Sequence, residues 1–123
     1  MKILQCQTHV SEDKRENLDR MRGCFEEAAR RGADLITFGE MFTCPYETQR
    51  FPLYAEEEGG ESFTHFAALA REYGILVSAG SIPEITYPTE GAQEEGAPAE
   101  ERTCAGNGMR AKERKAAVYN TAY

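Results

Sequence analysis

Three short apolar runs, Lys2–Thr8, Asp34–Phe38 and Ile75–Gly80, are separated by two stretches with helical periodicity. That alternation limits the chain to a largely parallel α/β sheet joined by crossover helices. The first helical stretch starts at Asp13, an N-cap residue, with Glu16 three positions later as the reciprocal partner of a capping box. Leu18, Met21, Phe25 and Ala28 then recur at the spacing of one buried helix face, and Gly32 ends the helix. Ser62 is the expected cap of the second helix, whose stripe is Phe63, Phe66, Ala67, Ala70 and Tyr73, with Gly74 as its stop. The run Ile75–Gly80 is apolar enough to be covered on both faces.

The second run, Leu35-Ile36-Thr37-Phe38, leads straight into Gly39-Glu40 and then a loop containing Pro45 and Pro52. Open α/β sheets hold ligands just beyond the carboxyl ends of their strands, so Glu40 is the first candidate for chemistry. The stretch Met41–Gly60 reads as mostly loop with one short helical turn. Between Ile85 and Lys115 the large apolar residues are few, and an acidic block (Glu90 to Glu101) precedes a basic one (Arg102 to Lys115). Such a segment buries too little apolar surface to offset its ordering entropy, so residues 85–115 read as a mobile insertion. An alternating run, Ala117–Tyr123, is the expected last strand. The expected order is therefore β-α-β-α-β, a long charged loop, and a final strand, all within one domain, residues 1–123.

Composition removes several function classes. Hydrophobic residues at 41% and charged residues at 28% describe a globular chain. A net charge of −7 lacks the basic footprint of nucleic-acid binding. Polar Gln5, Gln7 and His9 interrupt the first apolar run, which forms no signal segment, and no run reaches membrane-spanning length. The expectation is a cytoplasmic protein with no nucleic-acid or membrane partner. Cys6, Cys24, Cys44 and Cys104 are scattered without a Cys-x-x-Cys pair, which favours free thiols. Cys6 and His9 have a zinc-like spacing but no second ligand pair, so no metal is assigned. His65 falls beside the second helix's stripe and His9 follows a strand, so both read as surface residues. Gly106-Asn107-Gly108 has no flanking strand and helix to make it a phosphate loop.

The segment Phe38-Gly39-Glu40-Met41-Phe42 resembles the glutamate motif of the nitrilase, or carbon–nitrogen hydrolase, superfamily. Gly60-Glu61-Ser62, Gly80-Ser81-Ile82-Pro83-Glu84 and Tyr119-Asn120-Thr121 follow in that family's order. Pro45-Tyr46, Phe51-Pro52 and Tyr54-Ala55-Glu56 are most similar to its ω-amidase branch, which hydrolyses monoamides of dicarboxylic acids. The resemblance implies an α-β-β-α sandwich, of which this chain is the amino-terminal half and lacks one sheet. It also implies a small-molecule amide substrate, no metal or cofactor, and a homo-oligomer or a completing chain as partner. Its chemistry is a Glu–Lys–Cys triad in which the glutamate is the base for a cysteine nucleophile and the lysine stabilises the tetrahedral intermediate. Only the glutamate transfers, to Glu40, with Tyr46 expected on the wall of the same pocket. Cys44 lies in a loop rather than at a strand-to-turn junction, and Lys112 and Lys115 fall in the charged insertion, so none of the three substitutes. The alternative is a catalytically inactive remnant or interaction module that binds a partner through an exposed sheet.

Overall fold

The computed structural model describes residues 1–87 and 116–123. In chain order the elements are β1 (Ile3–Cys6), α1 (Lys14–Arg31), β2 (Leu35–Phe38), a 3₁₀ turn (Thr48–Arg50), α2 (Phe51–Tyr54), α3 (Glu61–Tyr73), β3 (Leu76–Ser78), β4 (Ser81–Thr86) and β5 (Ala117–Ala122). Strands β1, β2 and β3 form a parallel sheet with β2 in the middle. Leu18, Met21, Phe25 and Ala28 of α1 and Phe66 and Leu69 of α3 are buried against Ile36 and Phe38. Leu4, Cys6 and Val77 border the same core. Phe25 is completely buried, which on its own contributes about 1.5–3 kcal/mol.

The other face of this sheet is different. Ile3, Leu35 and Leu76 are register partners across the three strands, so their side chains form one apolar row on the side away from the core. Ile3 is 53% and Leu76 68% exposed. The expectation that Ile75–Gly80 is covered on both faces is therefore corrected: one layer of helices covers one face.

Three further expectations change. The Asp13 side chain caps α1 by accepting from the N–H groups of Arg15 and Glu16, but Glu16 turns outward to Arg20. Ser11 Oγ accepts the Asp13 N–H in its place. The second helix begins one residue before Ser62, and Ser62 is buried inside its first turn. The anionic cap comes from Glu56, whose Oε2 accepts the Ser62 N–H at 2.8 Å, as the positive end of a helix favours.

The third change concerns the strand count. Ser81–Thr86 is a strand of its own, paired antiparallel with β5, so Ile85 and Thr86 belong to a ladder rather than to the insertion. Positions 88–115 of that insertion lie outside the described residues. Pro83 does not break β4, because its carbonyl faces Glu56 and not β5. The N–H that proline lacks would point the same way, so no β5 ladder bond is lost. The ladder continues past β4, with Tyr123 bonding to Gly80 and Ala79. A second, two-stranded sheet thus springs from the end of the first.

Candidate functional site

Glu40 stands two residues beyond β2, where the strand has lost its partners on one side but still bridges to Ser81 on the other. The Met41 N–H donates to the Ser81 carbonyl at 2.8 Å, with Ser81 Oγ at 3.3 Å. Met41 has φ 50°, a left-handed conformation rare for a side chain of this kind. Such a residue costs roughly 1–3 kcal/mol and persists only where its surroundings dictate it. Here the Met41 side chain is buried with Cys44 and Tyr54, and its N–H is fixed by Ser81. The kink turns the chain immediately after Glu40 and leaves that residue exposed at the mouth of a cavity of about 380 Å³. Gln5, Cys6, Gln7, Thr8 and Val10 supply one wall, Gly39, Glu40 and Phe42 the other. The cavity therefore lies beyond the carboxyl ends of β1 and β2.

Tyr46 is not brought to this wall. The residue is 66% exposed, its ring packs edge-on against Phe51 at 5.7 Å, and it lines a separate depression with Glu47, Thr48 and Gln49. Cys44 is 1% exposed, and burial pushes its thiol up despite the opposing charge of Lys14. A buried, protonated thiol is a packing residue rather than a nucleophile. His9 is exposed. His65 is half-buried and its Nε2 lies 3.1 Å from the Leu18 carbonyl, so the ring ties α3 to α1 rather than serving the site. Among the described residues no cluster of three or more His, Cys, Asp or Glu side chains is arranged to hold a metal ion.

The structure adds residues that periodicity did not reveal. Lys14 donates to Glu56 Oε1 at 2.7 Å and to the Tyr54 carbonyl at 2.8 Å. Glu56 Oε1 also accepts from Ser62 Oγ at 2.5 Å. This Glu–Lys pair beside Cys44 has the composition of a catalytic triad, but every partner is committed to holding loop, α1 and α3 together. Burial alone would raise the Glu56 pKa; the bonds from Lys14 and Ser62 outweigh it and hold the carboxyl below its usual 4.5. Because the folded value is the lower one, the contribution is complete above about pH 4.5 and is lost as pH falls through the folded pKa. Glu56→Gln is therefore expected to lower stability by about 1–2 kcal/mol at pH 7, and to flatten the loss of stability on acidification below pH 4.5. Urea melts of both proteins at neutral and acid pH check this; parallel pH profiles would refute it.

Asn17 is the second addition. It is buried on α1, donates to the carbonyls of Ser11 and Thr43, and accepts from the Ser11 N–H. One amide thus joins the segment before α1 to the loop after Glu40. Its only sequence signal is a polar residue adjoining Leu18 at the edge of the apolar stripe.

Residues 3–94 match the family model for carbon–nitrogen hydrolases. The chain is 45% identical over 75 residues to Omega-amidase NIT2 of Xenopus tropicalis, a match covering 61% of this chain and 27% of the relative. It is 42% identical over 78 residues to Omega-amidase NIT2 of Bos taurus, covering 63% and 28%. The crystal structure of Saccharomyces cerevisiae Nit3, a member of branch 10 of the nitrilase superfamily, superposes with a TM-score of 0.55 at 30% identity, covering 61% of this chain and 30% of that one. The matched region thus spans little more than a quarter of the curated relatives. No helix among the described residues is long and apolar enough to cross a membrane. With residues 3–94, most of the chain, matched by that family model, the protein belongs to the carbon–nitrogen hydrolase family.

Proposed function

We propose that this chain contributes the base-bearing part of an amidase that hydrolyses small amides, with the ω-amide of a dicarboxylic acid as the preferred substrate. Glu40 takes the proton of a cysteine thiol as that sulfur attacks the amide carbon and gives it to the departing nitrogen, so that ammonia leaves and a thioester remains, which water then hydrolyses to the acid and the free thiol. A lysine supplied with the cysteine from outside these residues stabilises the charge. In this reading the helices and sheets are the amino-terminal portion of an α-β-β-α sandwich, and Tyr46 reaches the substrate once the remaining layers close over the depression that it lines.

The observation that carries the reading is the setting of Glu40: an exposed carboxylate at a cavity mouth, aimed by a strained buried neighbour at Met41. Ammonia release from a dicarboxylic monoamide, by this chain completed with a lysine- and cysteine-bearing segment, tests it. Release that survives alkylation of every cysteine would overturn the mechanism.

A second reading, an interaction module without catalysis, draws on the open row of Ile3, Leu35 and Leu76. Under either reading the chain purified alone is expected to be inert on ω-amides, and to bind a hydrophobic dye strongly or self-associate, because that row lies open to water. Dye fluorescence and light scattering measure this, and a dye-negative monomer would contradict it. A naturally occurring continuation that carries the lysine and cysteine favours the hydrolase over the module.

A further inference from the structure

We propose that Cys6 and Cys24 are a redox pair that closes to an intramolecular disulfide on reaction with a small disulfide oxidant, bracing α1 against the end of β1 beneath the Glu40 cavity. The two cysteines are 18 positions apart in sequence, Cys6 as the last residue of β1 and Cys24 on α1, yet the fold sets their side chains beside each other along one cavity. Both are free and half-buried, and both pack at the border of the same core. Both also line one open cavity of about 860 Å³ on the outer side of α1 and β1. Gly23 forms part of that wall and has no neighbouring group within 4 Å of where its Cβ would stand, so a tripeptide thiol has room to approach. Arg20 and Arg31 line the same cavity, each paired with a carboxylate, Glu16 and Glu27 respectively. Cys6 is the only one of the two that also lines the Glu40 cavity, so the bond would sit in the partition between the two spaces.

The chemistry balances with oxidised glutathione as the oxidant. The Cys24 thiolate attacks one glutathione sulfur, breaking the glutathione S–S bond and releasing one glutathione thiolate. Cys6 then loses its proton to that thiolate and attacks the Cys24 sulfur, forming the protein disulfide and expelling the second glutathione. Two protein thiols are oxidised by two electrons in all, and one glutathione disulfide is reduced to two thiols. The order follows from Cys6, whose thiol is pushed up to about 12, by burial first and by the adjacent Cys24 second, which makes it the poorer initial nucleophile and the natural resolving group.

The test is a peptide map of the whole chain after incubation with oxidised glutathione, alkylation of remaining thiols and trypsin digestion without reduction. The expected species joins the peptide Ile3–Lys14 to the peptide Gly23–Arg30 and weighs about 2 Da less than their sum. Alkylation at Cys24 should fall at least about tenfold and return on reduction, and the oxidised chain should melt about 5 °C or more above the reduced one. Cys6→Ser should instead trap glutathione on Cys24. A glutathione adduct persisting on the unsubstituted chain, a link to Cys44 or Cys104, or a link between two chains would overturn the proposal. The map of the unsubstituted chain decides it even if the Cys6→Ser protein does not fold.

Discussion

Glu40→Gln is expected to lower kcat at least about a hundredfold in the completed enzyme, since a general base typically contributes two to four orders of magnitude. The amide keeps the shape of the carboxylate and most of its hydrogen-bonding capacity, but it cannot take the thiol proton. Glu40 is exposed at the cavity mouth, and the kink that positions it is held through the backbone of Met41 rather than through its own side chain. Melting temperature should therefore change by no more than about 3 °C, as for a surface substitution. Steady-state kinetics beside a thermal melt separates the possibilities. Turnover above about a tenth of the parent rate would exclude the base role, and a large fall in melting temperature would mean that Glu40 is structural.

Gly80→Ala should be the most damaging single methyl among the glycines of the described residues. Gly80 has φ 67°, where a non-glycine residue costs about 1–2 kcal/mol. A Cβ built there would lie 2.1 Å from the Gly39 carbonyl oxygen and 2.8 Å from its carbon. Both are backbone atoms, so no side-chain rotation relieves the overlap. The strand carrying Glu40 and the start of β4 must separate, which strains the Met41–Ser81 bond between them. Together these effects should amount to about 2–4 kcal/mol, or a melting temperature lower by about 10 °C or more. Gly39→Ala is the control, because a Cβ at Gly39 meets nothing within 4 Å. If the two variants melted alike, close approach at Gly80 would not be what holds this junction.

Local periodicity revealed α1, α3, β1 and β2, because the residues that recur at 3.6 or 2.0 spacing are the ones that form the core. It also placed Glu40 at a strand end, since the change from apolar run to glycine and acid is itself local. What it missed depends on pairs distant in sequence. Ser81–Glu84 reads as the close of the third strand and Ile85 as the start of the insertion, because the partner that makes β4 a strand of its own, β5, is 41 positions away at the first pair, Ser81 with Ala122. Ser62 looked like a cap because nothing local shows that Glu56 reaches the same helix end. Lys14 and Glu56 are 42 residues apart, so no local pattern links them. Tyr46 is expected on the wall of the Glu40 pocket from the ω-amidase resemblance and the strand-to-loop break at Gly39, whereas its ring packs on Phe51.

The loop after Glu40 is pinned along most of its length. Asn17 holds Thr43, Glu12 receives both Arg50 and the Tyr54 hydroxyl, Lys14 holds the Tyr54 carbonyl, and Glu56 bridges to Pro83 and Ile85. Residues Tyr46 to Gln49 are its longest exposed run, with Pro52, Leu53 and Glu57 to Gly59 the other exposed positions. Variation in this region is thus best tolerated at that four-residue tip, which can be re-sequenced or lengthened while the anchored remainder keeps the frame around Glu40. A library built on those four positions could diversify molecular recognition with little penalty in folding, whereas the same mutational load spread across the loop would mostly yield unfolded chains.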